Sequence, residues 1–294
     1  MNKNQIGIKG RFHTQIIDKN GSIIEDLGVQ DNLITDLALG MDAPFYSAVY
    51  LCLGSGVVTT PSVSDTNLGN QVASKSGGVS SNGVSSFDAT GFHIEKYGIF
   101  QFEGLSGSIS ELGLRKGGAT GTLITRALIK DINGNPTTIT VGDGQTLKLT
   151  YKLYFYIPYI IGSGVTPTPH GDLHWEMRFN YPLNASGLSY AKQVVSMGYG
   201  WHYYSGDIHY KHMAGESLVE LSQDVDTVNR TKVMTGTSKI FTAENVMAAG
   251  ELFWNLGRSR YANAGHSVYL TQPFTIPANY NFTMTVEVSW GRLP

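Results

Sequence analysis

Three things are scarce in this chain. Cysteine occurs once in 294 residues, at Cys52, so no internal disulfide can form and the fold is not built around an oxidising compartment. Set between Leu51 and Leu53, that thiol reads as a small buried apolar residue rather than a nucleophile. Charged residues make up only 15%, against roughly 25% in a typical soluble chain. With 21 Lys+Arg and 23 Asp+Glu the formal net charge is −2, which excludes both an acidic disordered chain and a strongly basic nucleic-acid binder. Little repulsion keeps copies apart, so association is expected. Long apolar runs are also missing. The most apolar window, Tyr151 to Ile161, carries Lys152 and Pro158 and is too short to cross a bilayer, so no membrane insertion is expected. Met1-Asn2-Lys3-Asn4-Gln5 lacks the apolar core of a signal peptide, which points to synthesis in a cytoplasm.

Glycine is abundant, with 35 residues where the usual share of about 7% would give roughly 20. The strongest pattern is period-two alternation. Leu147, Leu149, Tyr151, Leu153 and Phe155 alternate with Lys148, Thr150, Lys152 and Tyr154. From Tyr280 through Phe282, Met284, Val286 and Val288 to Trp290 the same alternation returns, and Ile6, Ile8 and Phe12 form a weaker example. A helix would scatter these residues around its circumference, whereas a pleated strand gathers them on one face. Asn20-Gly21 between β-branched pairs and Asn133-Gly134 between apolar runs mark hairpin turns, and Gly206-Asp207 suggests another. The expected fold is mainly β: one or two antiparallel, jelly-roll-like β-sandwich domains with one or two short helices. Candidate helices are 32–39, capped by Asp31 and ended by Gly40, and a segment opening with the Ser217…Glu220 capping-box pattern.

Two low-complexity stretches divide the chain. Val57 to Ser86 is rich in Ser, Gly, Val, Thr and Asn without apolar periodicity and reads as an extended loop or arm. Gly162-Ser163-Gly164-Val165-Thr166-Pro167-Thr168-Pro169 reads as a linker. The expected organisation is an N-terminal β-sandwich over 1–162 with an arm at 57–86, a linker at 163–169, and an aromatic-rich β domain over 170–294. Ser110-Glu111-Leu112 and Gly250-Glu251-Leu252 each precede arginine, proline and an alternating strand; a duplicated topology and chance similarity both account for this.

No Gly-x-Ser-x-Gly elbow or Walker loop is present, and Gly54-Ser55-Gly56 reads as a sharp turn at a strand end. The best metal candidates are His170, His174 and Glu176, which with Asp172 would share one face of an extended strand. A solvated strand start is the simpler reading, and His209 and His212 are weaker candidates. Glu216, Glu220, Asp224 and Asp226 read as a solvated acidic face, with no pair singled out for glycoside chemistry. No catalytic residue and no cofactor is assigned, and no enzyme is expected. Trp201, Tyr203, Tyr204, Tyr210, Trp254, Tyr261 and Tyr269 concentrate in the C-terminal half. They suit a strand core, a subunit interface, or a glycan-binding surface, in that order.

An ordered set of short motifs adds to this. Asp31-Asn32-Leu33-Ile34-Thr35-Asp36-Leu37-Ala38-Leu39 follows a hairpin, then come Leu51-Cys52-Leu53-Gly54-Ser55-Gly56 and Thr59-Thr60-Pro61-Ser62-Val63-Ser64-Asp65-Thr66-Asn67-Leu68. Ile109-Ser110-Glu111-Leu112-Gly113-Leu114 precedes Leu123-Ile124-Thr125-Arg126-Ala127-Leu128-Ile129, and Thr138 to Val141 and Leu147 to Tyr151 close the run. Over residues 5 to 160 this order resembles the β-rich structural proteins of tailed bacteriophage virions, especially tail- and fibre-associated ones. The resemblance implies a non-enzymatic virion component, most simply in the tail, present in several symmetric copies and made in the host cytoplasm. Its partners would be further copies of itself and other tail or fibre proteins. The alternatives are a module that binds a host-surface glycan through the C-terminal half, and a neck or capsid decoration protein. In this picture the 57–86 arm lies along a neighbouring subunit's sheet edge, and Glu111 pairs with Arg126 at the surface for about 0–1 kcal/mol.

Overall fold

In the computed structural model, Leu147, Leu149, Tyr151, Leu153 and Phe155 are all buried, and the residues between them are half-buried. Pleating makes this unavoidable once the segment is extended. The structure describes residues 5–41, 49–56, 59–79, 82–105, 107–180, 218–226, 228–238, 240, 244–247, 252–256, 265–281 and 283–293. In chain order these form β1 (Gln5–Ile17), β2 (Ile23–Ile34), the short helix α1 (Asp36–Leu39), β3 (Val49–Gly54), β4 (Gln71–Gly77), β5 (Asn82–Phe87) and β6 (Gly91–Glu103). There follow β7 (Gly107–Ile109), β8 (Glu111–Lys116), β9 (Thr122–Leu123), β10 (Thr125–Leu128), β11 (Ile139–Val141) and β12 (Thr146–Pro158). Then come β13 (Ile160–Thr168), β14 (Gly171–Asn180), β15 (Leu218–Asp226), β16 (Thr231–Ser238) and β17 (Asn245–Met247). The last are β18 (Leu252–Leu256), β19 (Gly265–Leu270), β20 (Phe274–Ile276) and β21 (Thr283–Arg292). The protein is mainly β, of sandwich-like class, with curled antiparallel sheets.

The chain divides into two compact units. The amino-terminal unit comprises Ile8–Ser85, Ile94–Phe155 and Arg292–Pro294; the carboxy-terminal unit comprises Met1–Gly7, Ser86–His93 and Tyr156–Gly291. The boundary therefore does not fall at 163–169. Those residues belong to β13, which pairs with β14 from Ile160↔Arg178 to Thr168↔Gly171. Pro167 is tolerated because, among the described residues, β13 is the outermost strand of its sheet and pairs on one side only.

In the amino-terminal unit the strands follow the order β6-β12-β1-β2-β10-β8-β3-β4, with β5 on β6 and β9 on β8. The sheet curls until β4 returns beside β6: Lys75 Nζ donates to the Gln101 carbonyl at 2.5 Å, and a Cβ on Gly98 would lie 2.7 Å from the Gly78 oxygen. Enclosed by the curl are Ile8, Phe12 and Ile16 of β1, Leu51 and Leu53 of β3, Phe100 of β6, Leu112 and Leu114 of β8, and the β12 row. Burying each such side chain contributes roughly 1.5–3 kcal/mol, which makes this core the main source of cohesion. The buried Tyr151 hydroxyl donates to Thr125 Oγ1 at 2.8 Å, and that oxygen also accepts the Leu114 N–H at 3.0 Å. No polar atom of this inner contact is left unpaired.

The Asn20-Gly21 turn joins β1 to β2 as expected, with Asp18 Oδ1 accepting the Asn20 and Ser22 N–H groups. Asp131 Oδ1 does the same for Asn133 and Asn135 at the second Asn-Gly turn. The Gly206-Asp207 turn lies outside the described residues. Both helix expectations need correction. Residues 32–34 are the end of β2, and α1 spans only Asp36–Leu39, capped by Thr35 Oγ1 accepting the Ala38 N–H. Pairing of Leu33 and Ile34 with Arg126 and Thr125 of β10 overrides the local helical pattern. Leu218–Asp226 is strand β15, paired with β16 across Asp226↔Thr231. In the carboxy-terminal unit β15, β16 and β21 form one ladder, β13-β14-β19-β18 a second, and β17-β20 a third, all antiparallel. Tyr280 precedes β21 and is exposed, so the C-terminal strand is shorter than the alternation suggests, while Trp290 near its end is buried.

Candidate functional site

Antiparallel β8 and β10 pair Ala127 with Leu112 and Leu128 with Glu111. Alternation then places Glu111, Gly113, Arg115 and Arg126 on the face opposite Leu112 and Leu114. The 59–70 segment covers that face. Leu68 is buried against Cys52 and Leu123, with Tyr50 packed alongside, and Gly113 beneath it has room only for hydrogen, since a Cβ would press on the Thr125 carbonyl. Arg126 Nε donates to Glu111 Oε2 and Nη1 to Asp65 Oδ2, both at 2.8 Å, while Nη2 donates to Thr59 Oγ1 at 2.9 Å. Glu111 Oε1 accepts the Gly69 N–H at 2.5 Å. On the other flank Arg115 donates to Gln71 Oε1, the Gly121 carbonyl and Asn67 Oδ1.

Two expectations are corrected here. The Glu111–Arg126 pair forms, but inside the protein: the residues are 2% and 4% exposed. Burial lowers the affinity of Arg126 for its proton, and the bonds to Asp65 and Glu111 more than offset this, leaving its pKa above the ordinary value. Nor is Val57–Ser86 an arm. Its first part is clamped by the two arginines, and Gln71–Gly77 is β4, paired with β3 from Val49↔Gly77 to Gly54↔Gln71. Composition alone hides this, because among the described residues the buried apolar contribution comes from only Leu68 and Val79 and the polar contribution from arginines roughly 45–65 residues away.

An open strand edge lies elsewhere in the same unit. β2 pairs with β1 along most of its length, but β10 reaches only Leu33 and Ile34. The Gln30 side chain extends the contact by bonding both the N–H and carbonyl of Lys130. Among the described residues no strand pairs with the other side of Ile23–Val29. There Ile23, Ile24 and Val29 are 54%, 50% and 58% exposed. A β-bulge interrupts the ladder between His13 and Gln15, whose partners jump from Val29 to Asp26, and Gly28 takes φ 70° to make it. The Asp26 carboxylate holds the bulge: it accepts from His13 Nε2 at 2.6 Å, Gln15 Nε2 at 2.8 Å and the Gly28 N–H at 2.8 Å. Those bonds, the His13 one foremost, lower its pKa to about 2.

The carboxy-terminal unit separates the metal candidates. His170 sits in the β13–β14 turn, with its ring edge-to-face on Tyr280 at 4.3 Å between centroids. His174 is on β14 opposite Val165. Glu176 bonds Arg178, whose guanidinium lies 4.8 Å from the Tyr269 ring centre. Among the described residues no three His, Cys, Asp or Glu side chains converge as a metal site. Trp254 lies on β18 opposite Val268. Trp201, Tyr203, Tyr204, Tyr210 and Tyr261 lie outside the described residues, as do His209, His212 and Glu216, while Glu220, Asp224 and Asp226 are on β15.

One cleft of about 360 Å3 opens between the β13–β14 turn and the segment leading into β21. Phe274 and Ile276 of β20 are buried at its wall and Tyr280 is exposed at its rim. Sequence reading placed His170 in a metal set and Tyr280 in a strand; only the turn geometry brings them to one cleft. No family model matches the chain, and neither does any curated protein or solved structure.

Proposed function

We propose that this chain is a non-enzymatic structural component of a tailed bacteriophage virion, placed in the tail at its tip, baseplate or fibre anchor, and that it works by oligomeric assembly. The observation that carries the assembly part is the open β2 edge, where three exposed aliphatic side chains flank backbone that no strand pairs among the described residues. Such an edge is a template for a strand from another chain; of the devices that blunt an edge it carries the bulge at 26–29 but neither lysine nor proline. The low overall charge favours the same outcome. The motif order over residues 5 to 160 supports the virion part. Assembly here draws on strand edges, not on an extended arm, and the partners are further copies and other tail or fibre proteins.

The test has two arms. Light scattering on the purified full chain should give a closed oligomer of fixed copy number, and a monomer at every concentration overturns assembly. Antibodies against the chain should decorate the tails of particles released by the cells that make it. Decoration of heads or necks moves the protein there, and unlabelled particles overturn the virion reading.

A further inference from the structure

The cleft of the carboxy-terminal unit has a chemistry that assembly leaves unexplained. Its walls are stiff. Pro167, Pro169 and Pro277 line it with fixed φ angles, and Thr168 locks the turn by donating to the Gly171 carbonyl at 2.7 Å while accepting the His170 N–H at 3.1 Å. Between the lining residues Pro277 and Tyr280, Asn279 takes φ 69°, a conformation Asn adopts more readily than other non-glycine residues. A preformed site loses little ordering entropy when a ligand enters, and about 360 Å3 lies at the small end of the roughly 300–1,000 Å3 range of small-molecule sites.

The lining decides the ligand class. No Lys, Arg, Asp or Glu is among the described lining residues, so against these residues a phosphate, an acidic sugar or an ammonium group would leave its hydration without finding a counter-charge. One imidazole with no carboxylate does not make a metal site. What the cleft offers is an aromatic ring at the rim, Tyr280, 49% exposed, together with neutral hydrogen-bonding groups from Thr166, Thr275 and Asn281. Thr166 Oγ1 already accepts the Trp175 Nε1–H at 3.0 Å, which leaves its own hydroxyl proton to donate. An uncharged pyranose has this dual character, with C–H groups on a ring face and hydroxyls around its edge.

From this geometry we infer that the cleft binds a neutral mono- or disaccharide unit, with the sugar ring packed on Tyr280 and its hydroxyls bonded by the threonines and Asn281. A host-surface glycan ending in such a unit is the macromolecular form of that ligand. The inference rests on the cleft alone and stands or falls separately from virion assembly.

The test is saturation-transfer NMR on the full chain. The neutral probes are glucose, galactose, N-acetylglucosamine, lactose and maltose, beside glucuronic acid, N-acetylneuraminic acid and a proline-rich peptide. At least one neutral sugar should receive saturation at its ring protons. Tyr280→Ala should weaken that binding at least tenfold while Tyr280→Phe keeps it within about threefold. Asn281→Ala, in an exposed loop, should weaken it severalfold and serves as the second variant if Tyr280→Ala fails to fold. No saturation of any neutral sugar, transfer to the acidic sugars or the peptide alone, or unchanged affinity in the folded variants overturns the site. Light scattering on the same samples keeps the two proposals apart, because losing the sugar should leave the oligomer intact.

Discussion

Glu111 and Arg126, fifteen positions apart in the chain, share a 2.8 Å contact between carboxylate and guanidinium where solvent barely reaches. Asp65 and Thr59 arrive from the covering loop and complete the guanidinium's hydrogen bonds. The pair therefore couples the β8–β10 ladder to the 59–70 segment. Arg126→Met should cost roughly 3–5 kcal/mol, since it leaves the buried Glu111 carboxylate without its counter-charge. Glu111→Gln combined with Arg126→Met should recover part of that loss. Urea unfolding measures both, and limited proteolysis should show faster cutting within 59–70 in the single variant. A loss below about 1 kcal/mol would mean that the loop is held by Leu68 and Arg115 without help from Arg126.

The exposed edge of β2 makes a separate prediction. Ile24→Lys with Val29→Lys places charge on unpaired backbone, the device by which natural edges resist association. Both positions are exposed, so folding stability should change by no more than about 0.5 kcal/mol. Light scattering should nonetheless show monomer where the unaltered chain gives an oligomer. An unchanged oligomer places the contact elsewhere.

Asp26 gives a pH dependence of known sign. Its pKa falls from 3.8 to about 2 on folding, so the folded state binds the proton less tightly than the unfolded chain. Its contribution is complete above about 3.8 and disappears as the pH drops toward 2. Below that window the bulge at Gly28 loses its acceptor, and amide exchange across the β1–β2 hairpin should accelerate. Asp26→Asn should flatten this acid dependence and raise exchange at neutral pH; equal acid slopes in the two proteins would contradict it.

Tyr151 tests the core. Burial pushes its phenol pKa well above the ordinary value, and the hydroxyl donates to Thr125. Tyr151→Phe should cost about 0.5–1.5 kcal/mol, because Thr125 Oγ1 keeps the Leu114 N–H as its other partner. Ultraviolet titration of the folded protein should show one tyrosine fewer ionising in the variant only once alkali unfolds the chain. A difference before unfolding would mean that Tyr151 is reached by solvent.

Local rules settled much of this protein in advance. Alternation from Leu147 to Phe155 placed an inner strand because a pleat admits no other arrangement of those residues, and Asn20-Gly21 and Asn133-Gly134 turn the chain because their backbone needs are met within five residues. Partners distant in sequence decided the rest. Leu33 and Ile34 are strand because β10 pairs with them, and Ser163 to Thr168 are strand because β14 does. Residues 59–70 lie down on the sheet because Arg126, Arg115 and the Leu68 contacts wait there, and Gln71–Gly77 join it because β3 pairs with them. His170 and Tyr280, about 110 residues apart, meet only through the β13–β14 turn and the entry to β21. Period and turn chemistry are properties of neighbours along the chain, whereas burial of a charge, closure of a curled sheet and the walls of a cleft belong to residues that come together only once the chain has folded.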